Sequence, residues 1–317
     1  MPSARRPPAA SPAACTHMHM HTHMHTGTAP GGAGATGTAP SAWQPQPDRR
    51  AFGRALAMGA AGLALPSAAG AQPRTVADPW PALRQSLYGA RPIADGADWL
   101  RLEAPTRAED AAVVPVSVRA LQPQQTGLWL RRLQLVIDDN PSPMGVDIGF
   151  TPHSGRADLE TRVRVEQYTT LRAIAELSDG RLLMVTRPIK ASGGCSAPAG
   201  KDPAEALVGL GRMRLHVGPD PDGGDGPALG QLMVRHPQIS GLAIDPLTRL
   251  APLPRYVREI TLRLDDTPLL DARVDFTLSE NPHLRFRLDP RGARILHARV
   301  VDTEGARFEQ QWPIGGA

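Results

Sequence analysis

Cysteine and lysine are scarce in this 317-residue sequence. The cysteines are Cys15 and Cys195, and the lysines are Lys190 and Lys201. There is no CxxC pair, no Ser-His-Asp signature and no Gly-rich phosphate loop. The usual metal-ligand spacings are also missing among His153, His216, His236, His283 and His297. We therefore predict no cofactor site and no metal site.

The first 71 residues resemble an export leader more than a folded domain. The segment "DRRAFGRALAMGAAGLALPSAAGAQP" holds the pair Arg49 and Arg50, a weakly apolar run at Ala55–Leu65 and a small-x-small cleavage site at Ala69–Ala71. The apolar run is too short to span a bilayer. This pattern predicts twin-arginine export to the periplasm and a mature chain that begins at Gln72. The alternative is an Ala-rich linker that follows a chance arginine pair.

A His/Met-rich tract, "CTHMHMHTHMHTG", occupies residues 15–27 of this leader. Imidazole and thioether groups both bind copper, zinc or nickel. Export would remove the tract, and a translation start at Met24 would leave most of it unmade. We therefore predict no metal for the mature protein.

The leader also accounts for the apparent basicity of the chain. Five of the 35 basic residues and one of the 31 acidic residues lie within positions 1–71, which leaves 30 of each in the mature chain. No basic patch remains to attract nucleic acid or an anionic membrane, so neither is predicted as a partner. Cys15 is lost with the leader, so Cys195 stands alone and no intramolecular disulfide can form.

The mature chain has the pattern of an all-β protein. One short helix is predicted at 78–89, with Asp78 at its start and Gly89 at its end. Elsewhere, short alternating runs rich in β-branched residues are separated by turn signals. They cover roughly 98–189 and 229–314, with hairpin turns at Asp179-Gly180 and Asp302–Gly305.

This pattern predicts two all-β domains, with strands spaced as in a sandwich, joined by a Gly/Pro-rich segment that carries the cysteine. The predicted boundaries are a leader at 1–71, a first sandwich at 72–190, a cysteine loop and linker at 191–227, and a second sandwich at 228–317.

The cysteine lies in a stretch with no large apolar neighbour, "RPIKASGGCSAPAGKDP" at 187–203. Gly193 and Gly194 precede it, and glycine pairs give a chain freedom of movement. Lys190 and Lys201 flank it, and cationic neighbours favour the nucleophilic thiolate. We therefore expect Cys195 to be an exposed, mobile thiol. The alternative is a small buried hydrophobic residue, which is the usual state of a free cysteine.

Several stretches resemble SoxY and SoxZ, the two subunits of a carrier in sulfur-compound oxidation. The SoxY-like stretches are "LEAPTRAEDAAVVPVSV" (102–118), "LQLVIDDNPSP" (133–143), "TRVRV" (161–165) and "IKASGGC" (189–195). The SoxZ-like stretches are "MVRHPQISGL" (233–242), "VREITLRLDD" (257–266), "FTLSENPHLRFRL" (276–288) and "VVDTEGARF" (300–308). The pattern is most similar to the fused SoxYZ-like carriers associated with quinoprotein dehydrogenases.

This resemblance implies two immunoglobulin-like sandwiches and a role for the thiol. SoxY carries sulfur intermediates on a cysteine at the tip of a swinging arm, and Cys195 occupies that position. Gly193 and Gly194 match glycines of the arm. Ser196 departs from the family, in which glycines follow the cysteine at a free C-terminus. Here the chain continues, so the arm is a loop anchored at both ends.

Three functions follow as hypotheses from different classes. In the first, the protein is a periplasmic carrier and not an enzyme, and Cys195 holds a covalent adduct that partner enzymes load and process. Its partners would include a quinoprotein dehydrogenase and cytochrome c. In the second, the chain is a non-covalent docking module for a quinoprotein dehydrogenase that uses PQQ. In the third, it is a thiol-based redox enzyme.

Overall fold

The alternating runs form two facing β-sheets in a computed structural model that describes residues 78–124, 127–197, 203–220, 227–245 and 248–314. In chain order the helices are α1 (Trp80–Tyr88) and α2 (Pro203–Leu207), with a short 3₁₀ turn at Pro152–Ser154. The strands of the first half are β1 (Ile93–Asp95), β2 (Leu100–Glu103), β3 (Val114–Ala120), β4 (Leu130–Ile137), β5 (Met144–Phe150), β6 (Leu159–Val163), β7 (Thr169–Leu177) and β8 (Leu182–Ile189). Those of the second half are β9 (Met213–Gly218), β10 (Ala228–Val234), β11 (Val257–Leu264), β12 (Thr267–Val274), β13 (His283–Leu288), β14 (Ile295–Asp302) and β15 (Arg307–Pro313).

Both sheets contain strands from both halves of the chain. A nine-stranded sheet has the order β1-β8-β7-β4-β5-β12-β11-β14-β15, and a six-stranded sheet has the order β2-β3-β6-β13-β10-β9. All pairings between these strands are antiparallel except that of β1 with β8. The all-β prediction is confirmed, and the described residues all belong to one compact unit at Gln72–Ala317.

The two halves join edge to edge rather than face to face. In the larger sheet β5 pairs with β12, with Ile148 opposite Ala272. In the smaller sheet β6 pairs with β13, with Leu159 opposite Phe286. Each junction gives hydrogen-bond partners to the backbone N–H and C=O groups of two strand edges that would otherwise be unpaired. We call this line of contact the seam.

The core runs through the seam without a break. Along β3 the buried positions alternate with more exposed ones, as expected for a strand with one face toward the core. The same core cluster contains Leu135 and Ile148 from the first half and Leu262 and Phe286 from the second. Each fully buried side chain of this size contributes about 1.5–3 kcal/mol.

Helix α1 covers part of the outer face of the larger sheet. Tyr88 packs with Val136, Ile174 and Leu182 in a second, smaller cluster. The helix ends at Gly89 as predicted, where Gly89 adopts φ 58°. Its N-cap is Pro79 and not Asp78, although Asp78 accepts a hydrogen bond from the Trp80 N–H at 3.0 Å. Within the described residues, no helix has the length and apolar character needed to cross a membrane.

The predicted turn at Asp179-Gly180 lies between β7 and β8, and the turn at Asp302–Gly305 lies between β14 and β15. The segment 191–227, interpreted as loop and linker, contains a strand that was not predicted. Met213–Gly218 forms β9 and pairs with β10 at the edge of the smaller sheet. Its apolar pattern is short, and it forms a strand because it pairs with β10, which comes after the Gly/Pro-rich stretch in the chain. The domain boundaries themselves stay a prediction.

A buried ion pair crosses the seam. Arg287 in β13 is 3% exposed, and its Nε lies 3.3 Å from Oδ2 of Asp158, which precedes β6. The guanidinium also contacts Asp220 at 2.7 Å. Asp158 accepts a further hydrogen bond, from the backbone N–H of Ala120 at 2.9 Å. Asp158 also pairs with Arg156 at 2.7 Å, so Arg287 is one of two cations that compensate its charge.

We predict that Arg287→Met lowers the free energy of unfolding by about 2 kcal/mol, because Asp158 and Asp220 lose a buried cation that both contact and Arg156 compensates only part of their charge. The matched control is Arg285→Met in the same strand, where the partly exposed pair with Glu160 should contribute less than about 1 kcal/mol. Urea unfolding of both variants measures the difference. Equal losses would contradict this account of the seam.

Candidate functional site

The cysteine loop follows β8 and spans residues 191–197 in the described structure. Gly193 has φ +80°, which favours glycine. A Cβ on Gly194 would lie 2.0 Å from the Ala111 carbonyl oxygen and 2.7 Å from that of Val165. Glycine at 194 therefore allows a close approach of three backbone segments. The expectation that the Gly-Gly pair gives the loop free reach is wrong for this closed state.

Glu166 binds the tip of the loop through its side chain and its backbone. Its Oε2 accepts hydrogen bonds from the backbone N–H groups of Cys195 at 2.8 Å and Ser196 at 3.1 Å. Its Oε1 accepts one from the Ser196 hydroxyl at 2.7 Å. Its carbonyl oxygen accepts the Gly193 N–H at 2.7 Å. One residue thus accepts four hydrogen bonds from the loop.

The Cys195 side chain is buried, with 0% exposure. The expectation of an exposed thiol is therefore wrong. The reason is long-range packing: the loop folds against the first half at Val165 and Glu166, and Ser240 of the second half donates its hydroxyl to the Cys195 carbonyl oxygen at 2.8 Å. None of these covering groups is near Cys195 in the sequence.

Burial raises the pKa of the Cys195 thiol to about 12. The nearby carboxylates of Glu166 and Asp275 add to this rise, and the Arg164 guanidinium opposes it. The closed site therefore holds a neutral thiol, which is the unreactive form. Lys190 is not among the charges that shift this pKa, and Lys201 lies outside the described residues.

Arg164 is the basic residue of the site, and the sequence pattern did not single it out. It is 8% exposed, and its Nε has no hydrogen-bond partner among the described residues. Burial lowers the pKa of its guanidinium, and the nearby Glu280 carboxylate opposes this change. Arg164 lines a cavity of about 80 Å³ together with Ala197, Gln238, Ser240 and Pro252. This small cavity therefore borders the cysteine loop.

A groove elsewhere on the described surface is separate from the cysteine loop. This groove of about 530 Å³ is lined mainly by polar residues on or next to β11, β14 and β15, among them Arg263, His297 and Glu309. No residue of the cysteine loop lines it. Across the described ranges there is no cluster of three or more His, Cys, Asp or Glu side chains that could hold a metal ion. The predicted export residues Arg49 and Arg50 lie outside the described residues.

A buried neutral thiol should react slowly in the folded protein. We expect iodoacetamide at pH 8 to label Cys195 at least about 100-fold more slowly than it labels the urea-unfolded chain. The rate in the folded protein should still rise above pH 9, because the pKa lies near 12. Labelling of the peptide that contains Cys195 is followed by mass spectrometry. A rate close to that of the unfolded chain would contradict the burial.

Two family models match the chain, one in each half. The model described as "Sulfur oxidation protein SoxY" matches residues 84–195, and its match ends at Cys195. The model described as "Sulphur oxidation protein SoxZ" matches residues 221–313. No curated protein sequence matches this chain significantly.

Solved structures with some likeness include the sulfur carrier protein SoxY from Chlorobium limicola f thiosulfatophilum. It is 22% identical with a TM-score of 0.30, over 35% of this chain and 94% of that one. A superoxide reductase (neelaredoxin) from Ignicoccus hospitalis is 20% identical with a TM-score of 0.26, over 29% of this chain and 79% of that one.

The two family matches follow each other along the chain and together include every named strand except β9, which lies between them. They meet at the seam, where the halves share both sheets. The protein is therefore a fused SoxYZ-like protein, in which a SoxY domain precedes a SoxZ domain in one polypeptide.

Proposed function

We propose that this protein is a periplasmic carrier in sulfur oxidation, on which Cys195 holds a covalent, sulfur-containing group. The observation that supports the proposal most directly is the position of Cys195. It is the last residue of the SoxY match and lies on a loop between the two domains, beside a small cavity and a buried arginine. The chain itself catalyses nothing in this proposal, and partner enzymes make, process and release the adduct.

Loading forms a bond between the cysteine sulfur and the sulfur of an anionic substrate. The thiol loses its proton, and the two sulfur atoms together lose two electrons as the sulfur–sulfur bond forms. The carrier holds no group that accepts these electrons in the proposal. The oxidant is a partner redox protein of the cytochrome c class, which acts with the loading enzyme.

The closed loop sets a requirement on this chemistry. Thiolate, not thiol, is the nucleophile, and burial holds the pKa of Cys195 near 12. A loading enzyme must therefore act on an opened loop, where the thiol is solvated and its pKa returns toward about 8.5. In the closed state the same burial shields the sulfur from unwanted oxidants.

A second candidate function is a docking module for a periplasmic quinoprotein dehydrogenase, in which Cys195 carries nothing. The complete burial of the thiol favours it, since a buried free cysteine often serves only as a small hydrophobic residue. In this case the outer surfaces of the two domains would bind the dehydrogenase.

A Cys195→Ser variant distinguishes the two functions. The carrier proposal predicts that the variant still folds, with a free energy of unfolding lower by about 1–3 kcal/mol because a hydroxyl replaces a buried thiol, but fails to support growth on the sulfur compound that the intact gene supports. Mass spectrometry of the parent protein, purified from its native compartment, should show added mass on the Cys195 peptide. Full complementation by the serine variant, together with an unmodified thiol in the parent, would favour the docking module.

Export is tested separately. If Arg49 and Arg50 are recognised by the twin-arginine machinery, changing both to lysine should retain the precursor in the cytoplasm, because that machinery reads the arginine pair itself. Cell fractionation followed by immunoblotting measures the distribution. A single Arg54→Lys change in the same leader is the control and should be exported normally. Normal export of the double variant would refute this localisation.

A further inference from the structure

The hydrogen bonds of Glu166 to the cysteine loop are unusually concentrated. Its carboxylate accepts the backbone N–H groups of Cys195 and Ser196 and the hydroxyl of Ser196, at 2.8, 3.1 and 2.7 Å. Hydrogen bonds to a charged acceptor are about twice as strong as those between neutral groups. The carboxylate contacts the tip of the loop itself, at the residue that carries the thiol.

The position of Glu166 is itself fixed by a buried side chain. Asn140, which is 5% exposed, accepts the Glu166 N–H on its Oδ1 at 2.9 Å and donates its Nδ2 to the Arg164 carbonyl oxygen at 2.8 Å. This amide holds the backbone from Arg164 to Glu166 in one conformation. The Glu166 carboxylate is therefore preorganised to receive the loop.

The remaining contacts of the loop tip are weaker or steric. The Ser240 hydroxyl donates one neutral hydrogen bond to the Cys195 carbonyl oxygen. Gly194 fits between the backbones of Ala111 and Val165. These contacts place the loop, but the charged acceptor makes three of the hydrogen bonds at its tip.

We propose that Glu166 is the positioning residue of the carrier site, and that its carboxylate is a latch that keeps the cysteine loop closed and the thiol buried. The biological role of the latch rests on the proposed carrier function, because loading needs an open loop. The latch itself is a property of the folded chain alone. It can be tested without substrate or partner enzymes.

The central test is the labelling rate of Cys195 by iodoacetamide in folded Glu166→Gln protein. Glutamine keeps the size of the side chain but removes its charge and replaces one acceptor oxygen with a donor group. We expect labelling on the order of 10- to 100-fold faster than in the parent, as expected from the loss of charge-assisted hydrogen bonds. The matched control is Glu176→Gln, a half-buried glutamate that pairs with Arg91 and Arg131. Its rate should stay within about twofold of the parent.

The urea dependence of labelling separates a latch from a general loss of stability. Local opening of a loop exposes little surface, so the rate should change only weakly with urea below the unfolding transition. Global unfolding exposes the whole core and gives a steep dependence. Hydrogen exchange of the Cys195 and Ser196 amides should become faster in Glu166→Gln by a similar factor, while the amides of β7 and β11 keep their protection.

A second variant is the positive control, which shows that iodoacetamide labelling detects an open cysteine loop. Gly194→Ala places a Cβ against the Ala111 carbonyl oxygen and should open the loop without altering Glu166. If Gly194→Ala accelerates labelling and Glu166→Gln does not, the latch proposal is wrong. It is equally wrong if Glu166→Gln accelerates labelling only with the urea dependence of global unfolding. Neither result tests whether Cys195 carries a covalent group. The mass of the Cys195 peptide and the growth test of Cys195→Ser decide that question.

Discussion

Antiparallel pairing between β5 and β12 is the interaction on which the rest of the molecule depends. It joins the larger sheet across the two domains, as β6 and β13 join the smaller one. Because both sheets cross the seam, a single core fills the space between them. The candidate site is also built across the two domains: Arg164 and Glu166 come from the first, and Gln238 and Ser240 from the second.

Local patterns in the sequence predicted local structure well. The alternating runs became strands because one face of each meets the core, and Gly89 marks the end of α1 because its chemistry acts within a few residues. The pairing of β5 with β12 could not be predicted in this way. Strand partners are chosen by long-range packing, and an alternating pattern does not specify its neighbour.

The state of Cys195 was missed for the same reason. Its neighbours in sequence are small and polar, which indicated an exposed loop. The groups that cover it lie 29 residues away at Glu166 and 45 residues away at Ser240. Gly194 was noted as a source of freedom, yet the structure uses the absence of its side chain to let the loop close. Small residues permit both movement and tight packing, and only the surroundings decide between them.

The fusion of the two domains has a consequence for the integrity of the site. When two subunits pair as separate chains, the fraction that is assembled depends on their concentration. Here the partner domain is always present at the high effective concentration that a short tether provides. Dilution cannot separate Arg164 and Glu166 from Gln238 and Ser240, and no half-molecule with bare sheet edges is left to aggregate. A cell can therefore keep this protein at very low copy number, and every copy still carries a complete site.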